Sequence, residues 1–181
     1  MKRVVITWGR FNPPTIGHEK LFDKVRDIAS GDDFFIYPSH TQDKKKNPLT
    51  HQQKCDTLRK MFPRYKDNII QDSNLNTIIK VLQSLQGTYH DCVLILGSDQ
   101  VRPFEFTKRQ NGIDYTFRKY EIQSAGERDP DADGAAGMSA TKMRSAAVQL
   151  DFKSFRNGIP PSMTDTDCKK LMNQIRDIML K

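Results

Sequence analysis

VVITWGRFNPPTIGH, residues 4–18, joins a short apolar run to a polar turn. The run at 4–8 is continuous and rich in β-branched residues, which is typical of a strand buried on both faces of a parallel sheet. Gly9 follows it and allows the backbone to approach a ligand closely. Because ligands of such sheets bind beyond the carboxyl ends of the strands, we expect a binding site directly after residue 8.

The strand pattern recurs along the chain, and helical patterns lie between the predicted strands. Further strands are predicted at 34–37 and 92–96 and, more weakly, at 68–70 and 120–122. Amphipathic spacing predicts helices at 21–29, 51–62, 78–85 and 171–179. Alternating strands and helices indicate an α/β fold, a Rossmann-like parallel sheet with helices on both faces. The length fits a single domain over 1–181, with a C-terminal helical extension at about 151–181.

Composition limits the classes of protein that remain. The net charge of +7 favours an anionic partner, either nucleic acid or a phosphorylated small molecule, and the charge alone does not separate the two. No stretch approaches the ~20 apolar residues that cross a bilayer, so no membrane partner is expected. The three cysteines are far apart and odd in number, which favours a reducing, cytoplasmic location. An oligomer is left open.

The turn TIGH places Thr15 and His18 one helical turn apart near a predicted helix N-terminus. Free N–H groups and the positive dipole end favour phosphate there. A hydroxyl and an imidazole on the same face could hold phosphate oxygens without covalent chemistry. The alternative is that Thr15 only caps the helix and His18 is incidental.

A second polar stretch, GMSATKMR at 137–144, lies near the C-terminus. Ser139 or Thr141 can cap a helix there. Lys142 and Arg144 then oppose the helix dipole, which makes sense if an anion lies between them. The alternative is an ordinary capped helix with exposed basic residues.

Together the two stretches resemble the signatures of the HIGH-type nucleotidylyltransferase superfamily, which includes adenylyltransferases and cytidylyltransferases. GRFNPPTIGH resembles the first, with Thr15 where most members have His, as in phosphopantetheine adenylyltransferases. MSATKMR resembles the Ile-Ser-x-Thr-x-x-Arg motif, with Met138 in the Ile place. The resemblance implies that His18 binds the NTP phosphates and that Arg144 helps to hold the β- and γ-phosphates.

Other site residues follow from the same resemblance. The implied nucleotide-binding residues are Gly9, Arg10, Phe11, Asn12, Gly17, Gly97, Asp99, Ser139, Thr141 and Lys142. In this superfamily a lysine after the second strand reaches the α-phosphate; Lys44 and Lys46 are candidates, and which residue of 44–46 does so is left open. Asp99 either contacts a nucleotide or hydrated metal, or forms an Asx turn. No protein metal site is predicted, because the NTP would carry most contacts to Mg2+.

The resemblance therefore implies a nucleotidyltransferase that transfers an NMP group, AMP favoured, from an NTP to a phosphorylated small-molecule acceptor and releases pyrophosphate. CTP is the alternative substrate, and a basic nucleic-acid-binding module is the alternative of another class, although no nucleic-acid-binding motif occurs. The chain looks most like small phage-encoded members, which would place it in a host cytoplasm. The polar stretch 126–137 is either a passive linker or a lid that closes over NTP and magnesium.

Overall fold

The computed structural model describes residues 2–126 and 138–181. Within these ranges, four parallel strands form one sheet in the order β2-β1-β3-β4. The strands are β1 (Arg3–Gly9), β2 (Asp33–Pro38), β3 (Asp91–Leu96) and β4 (Lys119–Ser124). The prediction of a Rossmann-like α/β fold with a parallel sheet flanked by helices is confirmed.

The helices include those that the sequence pattern predicts. Those of the described chain are α1 (His18–Ala29), α2 (His51–Met61), α3 (Ile78–Leu85), α4 (Ser98–Val101), α5 (Phe106–Gln110), α6 (Ala140–Val148), α7 (Phe152–Asn157) and α8 (Asp165–Met179). Thr50 and Gln53 form the expected capping box at the start of α2. None of the helices in the described ranges has the length and apolar character needed to cross a membrane.

The chain divides into two compact units, and the first contains the sheet. Its described residues are 2–9, 20–39 and 72–126. Val5 and Val93 of the sheet pack against Val25 of α1. Val4 and Ile6, whose side chains point to the opposite face from Val5, are also fully buried, so β1 is covered on both faces, as its continuous apolar run predicts.

The second unit comprises residues 10–19, 40–71 and 138–181 of the described chain. Helices α6, α7 and α8 pack on one another within it, and α2 is followed by a 3-10 helix, Pro63–Asn68. The helices α7 and α8 lie in the region predicted to be a helical extension. That this region is an extension of a single domain stays a prediction.

One predicted strand is wrong. Residues 68–70 do not form a strand, because the 3-10 helix runs through Asn68 and Ile69 makes only a bridge. Two apolar residues are too few to outweigh the tight turn that begins at Pro63. The predicted lid, beyond Gly126, lies outside the described residues, so it also stays a prediction.

Candidate functional site

The chain turns sharply at Phe11, directly after β1. Phe11 has φ 45°, in the left-handed region that bulky side chains rarely adopt. Its buried ring packs edge-on against the ring of His18, with 4.9 Å between centroids. Backbone of this kind persists only where the surroundings hold it, and it is common at functional sites.

Asn12 connects this turn to two distant segments of the second unit. Its buried amide donates to the Leu49 carbonyl at 3.1 Å and accepts from the Leu49 N–H at 2.8 Å. Its backbone carbonyl accepts from the Arg144 guanidinium at 2.8 Å. The Asn12 side chain therefore holds the Leu49 backbone in place. The nucleotide-binding role that the resemblance implies for it stays a prediction.

The TIGH turn orients the His18 ring through its own backbone. The Thr15 N–H donates to Nδ1 of His18 at 2.9 Å. Because Nδ1 accepts this bond, the neutral ring carries its proton on Nε2. Thr15 itself is buried, and its hydroxyl accepts from the Gly17 N–H at 3.2 Å. Thr15 therefore positions the half-buried His18. That the two side chains hold phosphate oxygens stays a prediction.

The second signature forms the start of α6. Ser139, rather than Thr141, is the cap, and its hydroxyl accepts from the Lys142 N–H at 3.2 Å. The exposed Thr141 accepts from the Arg144 guanidinium at 3.3 Å. Lys142 is exposed, whereas Arg144 is half-buried and fixed at both ends of its guanidinium.

Two charged neighbours act on the Arg144 guanidinium. Burial lowers the pKa of Arg144, the carboxylate of Asp43 raises it, and the cation of Arg10 lowers it again. Arg10 is itself exposed. A half-buried guanidinium beside a second cation favours the binding of an anion, because an anion would offset both charges.

The lysine-rich loop is a tight turn around Asp43. The Asp43 carboxylate accepts from the Asn47 amide at 2.7 Å and from the backbone N–H of Lys46 at 2.7 Å, and these bonds hold its pKa below the usual range. Lys44 and Lys46 are exposed at its tip. The Lys44 ammonium donates to the backbone carbonyl of Lys181 at 3.2 Å.

Two further residues of the second unit, Lys54 and Gly158, were not identified as site candidates from the sequence. Lys54, in the first turns of α2, is 0% exposed, and burial, together with a smaller effect of the nearby Arg10 charge, lowers its pKa to about 8. Its spacing to Leu58 and Met61 places it on the apolar stripe of the helix, which is the signal that could have identified it. The second is Gly158, whose carbonyl accepts from the Ile16 N–H at 2.8 Å.

The remaining predicted residues belong to the sheet unit. Gly9 ends β1, and its carbonyl accepts from the Ser39 N–H at 2.8 Å. Gly97 follows β3 and precedes α4, whose first turn contains the exposed Asp99. A Cβ at Gly97 would lie 3.1 Å from the Asp99 carboxylate, so a side chain there would be crowded.

A parallel sheet flanked by helices places the chain in the α/β class. Residues 6–146 match the family described as Cytidylyltransferase-like. This match spans more than half of the chain, which therefore belongs to the cytidylyltransferase-like family and is a nucleotidyltransferase. The predicted superfamily and enzyme class are confirmed. No curated protein sequence matches the chain significantly.

Solved structures show the same fold at low sequence identity. A nicotinic acid mononucleotide adenylyltransferase from Plasmodium falciparum, complexed with NaAD, is similar at a TM-score of 0.63 and 16% identity, with 100% of both chains covered. A protein from Vibrio parahaemolyticus, solved as a candidate nicotinate-nucleotide adenylyltransferase, has a TM-score of 0.61 and 17% identity over 96% of this chain and 100% of that one. A bifunctional NMN adenylyltransferase/ADP-ribose pyrophosphatase from Francisella tularensis has a TM-score of 0.57 and 13% identity over 99% of this chain and 52% of that one.

Proposed function

We propose that the chain transfers the AMP group of ATP to a phosphorylated small-molecule acceptor and releases pyrophosphate. The observation that carries the proposal is the His18 ring, whose Nδ1 accepts from the Thr15 N–H, in the same compact unit as the positioned Arg144 guanidinium. A proton on Nε2 and a positioned guanidinium are the donors that a polyphosphate needs.

The proposed reaction is a direct in-line displacement. An oxygen of the acceptor phosphate attacks the α-phosphorus of the NTP, and the bond from that phosphorus to the bridging oxygen of the β-phosphate breaks. Pyrophosphate leaves with the electron pair, so no side chain is a nucleophile. Catalysis then depends on bringing the anions together and stabilising the charge that develops.

Each positioned group has a part in this scheme. His18 donates from Nε2 to phosphate oxygens as charge moves towards the leaving group. Arg144 binds the β- and γ-phosphates, together with backbone N–H groups at the start of α6. Arg10 and the exposed lysines at 44–46 attract the anionic substrates. Magnesium enters mainly with the NTP, whose phosphates carry most of its contacts.

The base of the NTP and the acceptor complete the proposal. The activities named for the similar structures are nicotinic acid or nicotinamide mononucleotide adenylyltransferases, which favours ATP and a mononucleotide acceptor. The description of the matching family supports CTP as the alternative.

The test is a thermal-shift panel followed by a pyrophosphate-release assay. ATP, CTP, GTP and UTP are compared with magnesium, and a single-stranded and a double-stranded oligonucleotide are the controls. We expect stabilisation by ATP and none by the oligonucleotides. Pyrophosphate release is then measured with nicotinic acid mononucleotide, NMN and other phosphorylated acceptors. Stabilisation by oligonucleotides alone would overturn the proposal, and preferential turnover of CTP would replace ATP.

A further inference from the structure

Arg156, near the end of α7, binds the backbone of the segment that follows it. Its guanidinium donates to the carbonyls of Ile159 at 3.1 Å, Pro160 at 3.3 Å and Met163 at 3.0 Å. Its Nε donates to the exposed carboxylate of Asp165 at 3.0 Å. The three residues that supply the carbonyls are buried, and the Arg156 side chain is partly buried. One planar guanidinium therefore provides partners for three carbonyls of a short segment.

The segment that this guanidinium binds, residues 158–163, has little regular structure of its own. Its sequence is GIPPSM, and Pro160 and Pro161 have no N–H to donate. It makes one turn, in which the Met163 N–H donates to the Pro160 carbonyl at 3.1 Å. Because bonds within the segment are few, its conformation depends on the bonds from Arg156.

Gly158, the first residue of this segment, contacts the TIGH turn. Its carbonyl accepts from the Ile16 N–H at 2.8 Å. The Ile16 N–H and the Thr15 carbonyl belong to one planar peptide group, and that carbonyl accepts from the His18 N–H at 3.0 Å. The Thr15 N–H in turn donates to Nδ1 of His18. Gly158 therefore holds, from outside the turn, the peptide group that bonds to His18.

The other hydrogen bonds of the TIGH turn are local. The N–H groups of Thr15, Gly17 and His18 donate to acceptors within the turn. Local bonds fix the shape of the turn, but they do not fix its orientation relative to α7. The bond from Ile16 to Gly158 links the two, so the position of the Gly158 carbonyl affects where the His18 ring lies.

We propose that Arg156 is a positioning residue for nucleotidyl transfer: it fixes residues 158–163, so that the Gly158 carbonyl holds the peptide group that orients His18. A reacting group displaced by about 1 Å can lose about a hundredfold in rate, so a residue remote from the substrate can affect catalysis. Arg156 lies beyond the residues, 6–146, that match the family. This inference rests on the proposed function, because it takes His18 to be a donor to the NTP.

Pyrophosphate release by the full chain tests the proposal. ATP and magnesium are supplied with the phosphorylated acceptor that the natural chain turns over fastest, and the natural chain is compared with Arg156→Met. We expect kcat to fall by about 10–100-fold and KM for ATP to change by less than about threefold. The loss falls on kcat because the His18 donor is displaced while the groups that bind the NTP in the ground state remain.

The ring nitrogens of His18 give a readout that does not depend on turnover. Their NMR chemical shifts are measured at about pH 8.5, where an ordinary imidazole is neutral, and His18→Ala assigns them. The natural chain should show the proton on Nε2, and Arg156→Met should shift the ring towards a mixture of both tautomers. The Ile16 amide hydrogen should also exchange at least about tenfold faster in Arg156→Met, relative to the buried amides of α8.

Two controls separate positioning from general stability. Arg176→Met is the matched control, a partly buried arginine of α8 in the same unit that donates to the Val148 carbonyl at 3.4 Å. It should lower the melting temperature without changing kcat or the His18 ring. Asp165→Asn removes the carboxylate partner of Arg156 and keeps the three carbonyls. It should change kcat by less than about threefold, because an exposed ion pair contributes little.

Arg156→Lys is the conservative variant. It keeps the charge and loses the planar arrangement of donors, so it should restore part of the activity and leave kcat about 3–10-fold below that of the natural chain. The Ser162 hydroxyl donates to the Met61 carbonyl at 2.6 Å and keeps the segment attached to the end of α2 in every variant. Circular dichroism monitors folding, and Arg156→Lys carries the test if Arg156→Met does not fold.

The outcomes distinguish this inference from the proposed function. Near-normal kcat in a folded Arg156→Met, or equal losses of kcat in Arg156→Met and Arg176→Met, would overturn the role of Arg156 and leave the proposed function standing. An unchanged His18 ring and unchanged Ile16 exchange would do the same, as would full activity of Arg156→Lys if it alone folds. A natural chain that releases no pyrophosphate from any NTP would overturn the proposed function and this inference with it.

Discussion

The second unit carries lysines in two contrasting settings. Residues 44–46 stand at the exposed tip of a turn that the Asp43 carboxylate organises. Lys54 is enclosed within the first turns of a helix and is 0% exposed. An exposed charge is screened by water and salt, whereas a buried charge acts over a short distance with little screening. Each exposed lysine at 44–46 is therefore expected to contribute less to the local electrostatic potential than the buried Lys54 of α2.

The same contrast applies to the groups proposed to bind phosphate. His18 and Arg144 are half-buried and are held by hydrogen bonds to backbone groups, at 2.9 Å from Thr15 and 2.8 Å to Asn12. The lysines at the loop tip are exposed and have long flexible side chains. We expect positioned donors to contribute most to catalysis, because they lose little entropy on reaching the transition state.

The largest effect is expected for the positioned imidazole. His18→Ala should lower kcat by about 10²–10³-fold, as loss of one preorganised donor does elsewhere. Melting temperature should change little, because the ring is half-buried. Pyrophosphate release at saturating NTP measures the loss, and His90→Ala, an exposed histidine of the sheet unit, is the control. Near-normal turnover would remove His18 from the catalytic residues.

The buried Lys54 should make the free energy of unfolding depend on pH. The folded chain holds the pKa of Lys54 at about 8, below the ordinary 10.5, so between these values the unfolded chain binds more protons. The free energy of unfolding should therefore rise with pH across this window, by at most about 3 kcal/mol. Urea unfolding of the natural chain and Lys54→Met measures the difference. Parallel pH profiles would mean that Lys54 titrates normally.

The half-buried guanidinium should discriminate between nucleotides by their phosphates. Arg144→Ala should weaken NTP binding by roughly 10–100-fold, the equivalent of a hydrogen bond to a charged group, and NMP binding much less. Calorimetry with both ligands measures the two losses, and Arg26→Ala, an exposed arginine of α1, is the control. Equal losses for NTP and NMP would place Arg144 away from the β- and γ-phosphates.

The smallest effect is expected at the exposed turn. Lys44→Ala and Lys46→Ala should each reduce kcat/KM by less than about tenfold, and salt should diminish the difference from the natural chain. Steady-state kinetics at low and high ionic strength provides the measurement. A salt-independent loss of more than a hundredfold in either variant would show that this lysine is positioned on the α-phosphate during the reaction.

Local chemistry explains what the sequence predicted correctly. The run at 4–8 admits few arrangements other than a buried strand, and the Thr50–Gln53 pair forms the capping box that its spacing predicts. The TIGH turn places His18 at the beginning of α1, as expected. For the capping box and the TIGH turn, the determining partners lie within a few residues along the chain. The strand has distant partners in β2 and β3, but its own apolar run is sufficient to indicate it.

Long-range contacts explain what the sequence did not predict. The side chain of Asn12 forms two hydrogen bonds with the backbone of Leu49, and the sequence alone does not indicate that pairing. The charge of Lys54 suggests a surface position, and only its alignment with the apolar stripe of α2 argues otherwise. The likeness to phage-encoded members and the cytoplasmic location stay predictions.

Gly158 shows that the boundary of a family and the boundary of a working site need not coincide. This glycine lies beyond the matched residues 6–146, yet its carbonyl holds the Ile16 N–H inside the first signature. A Cβ there would lie only 2.2 Å from the sulfur of the buried Met143, so a larger residue would require that side chain to move. A chimaera that transplanted only the matched segment would carry both signatures and lack the acceptor that fixes the first. The transferable module is therefore the segment that extends at least to Gly158.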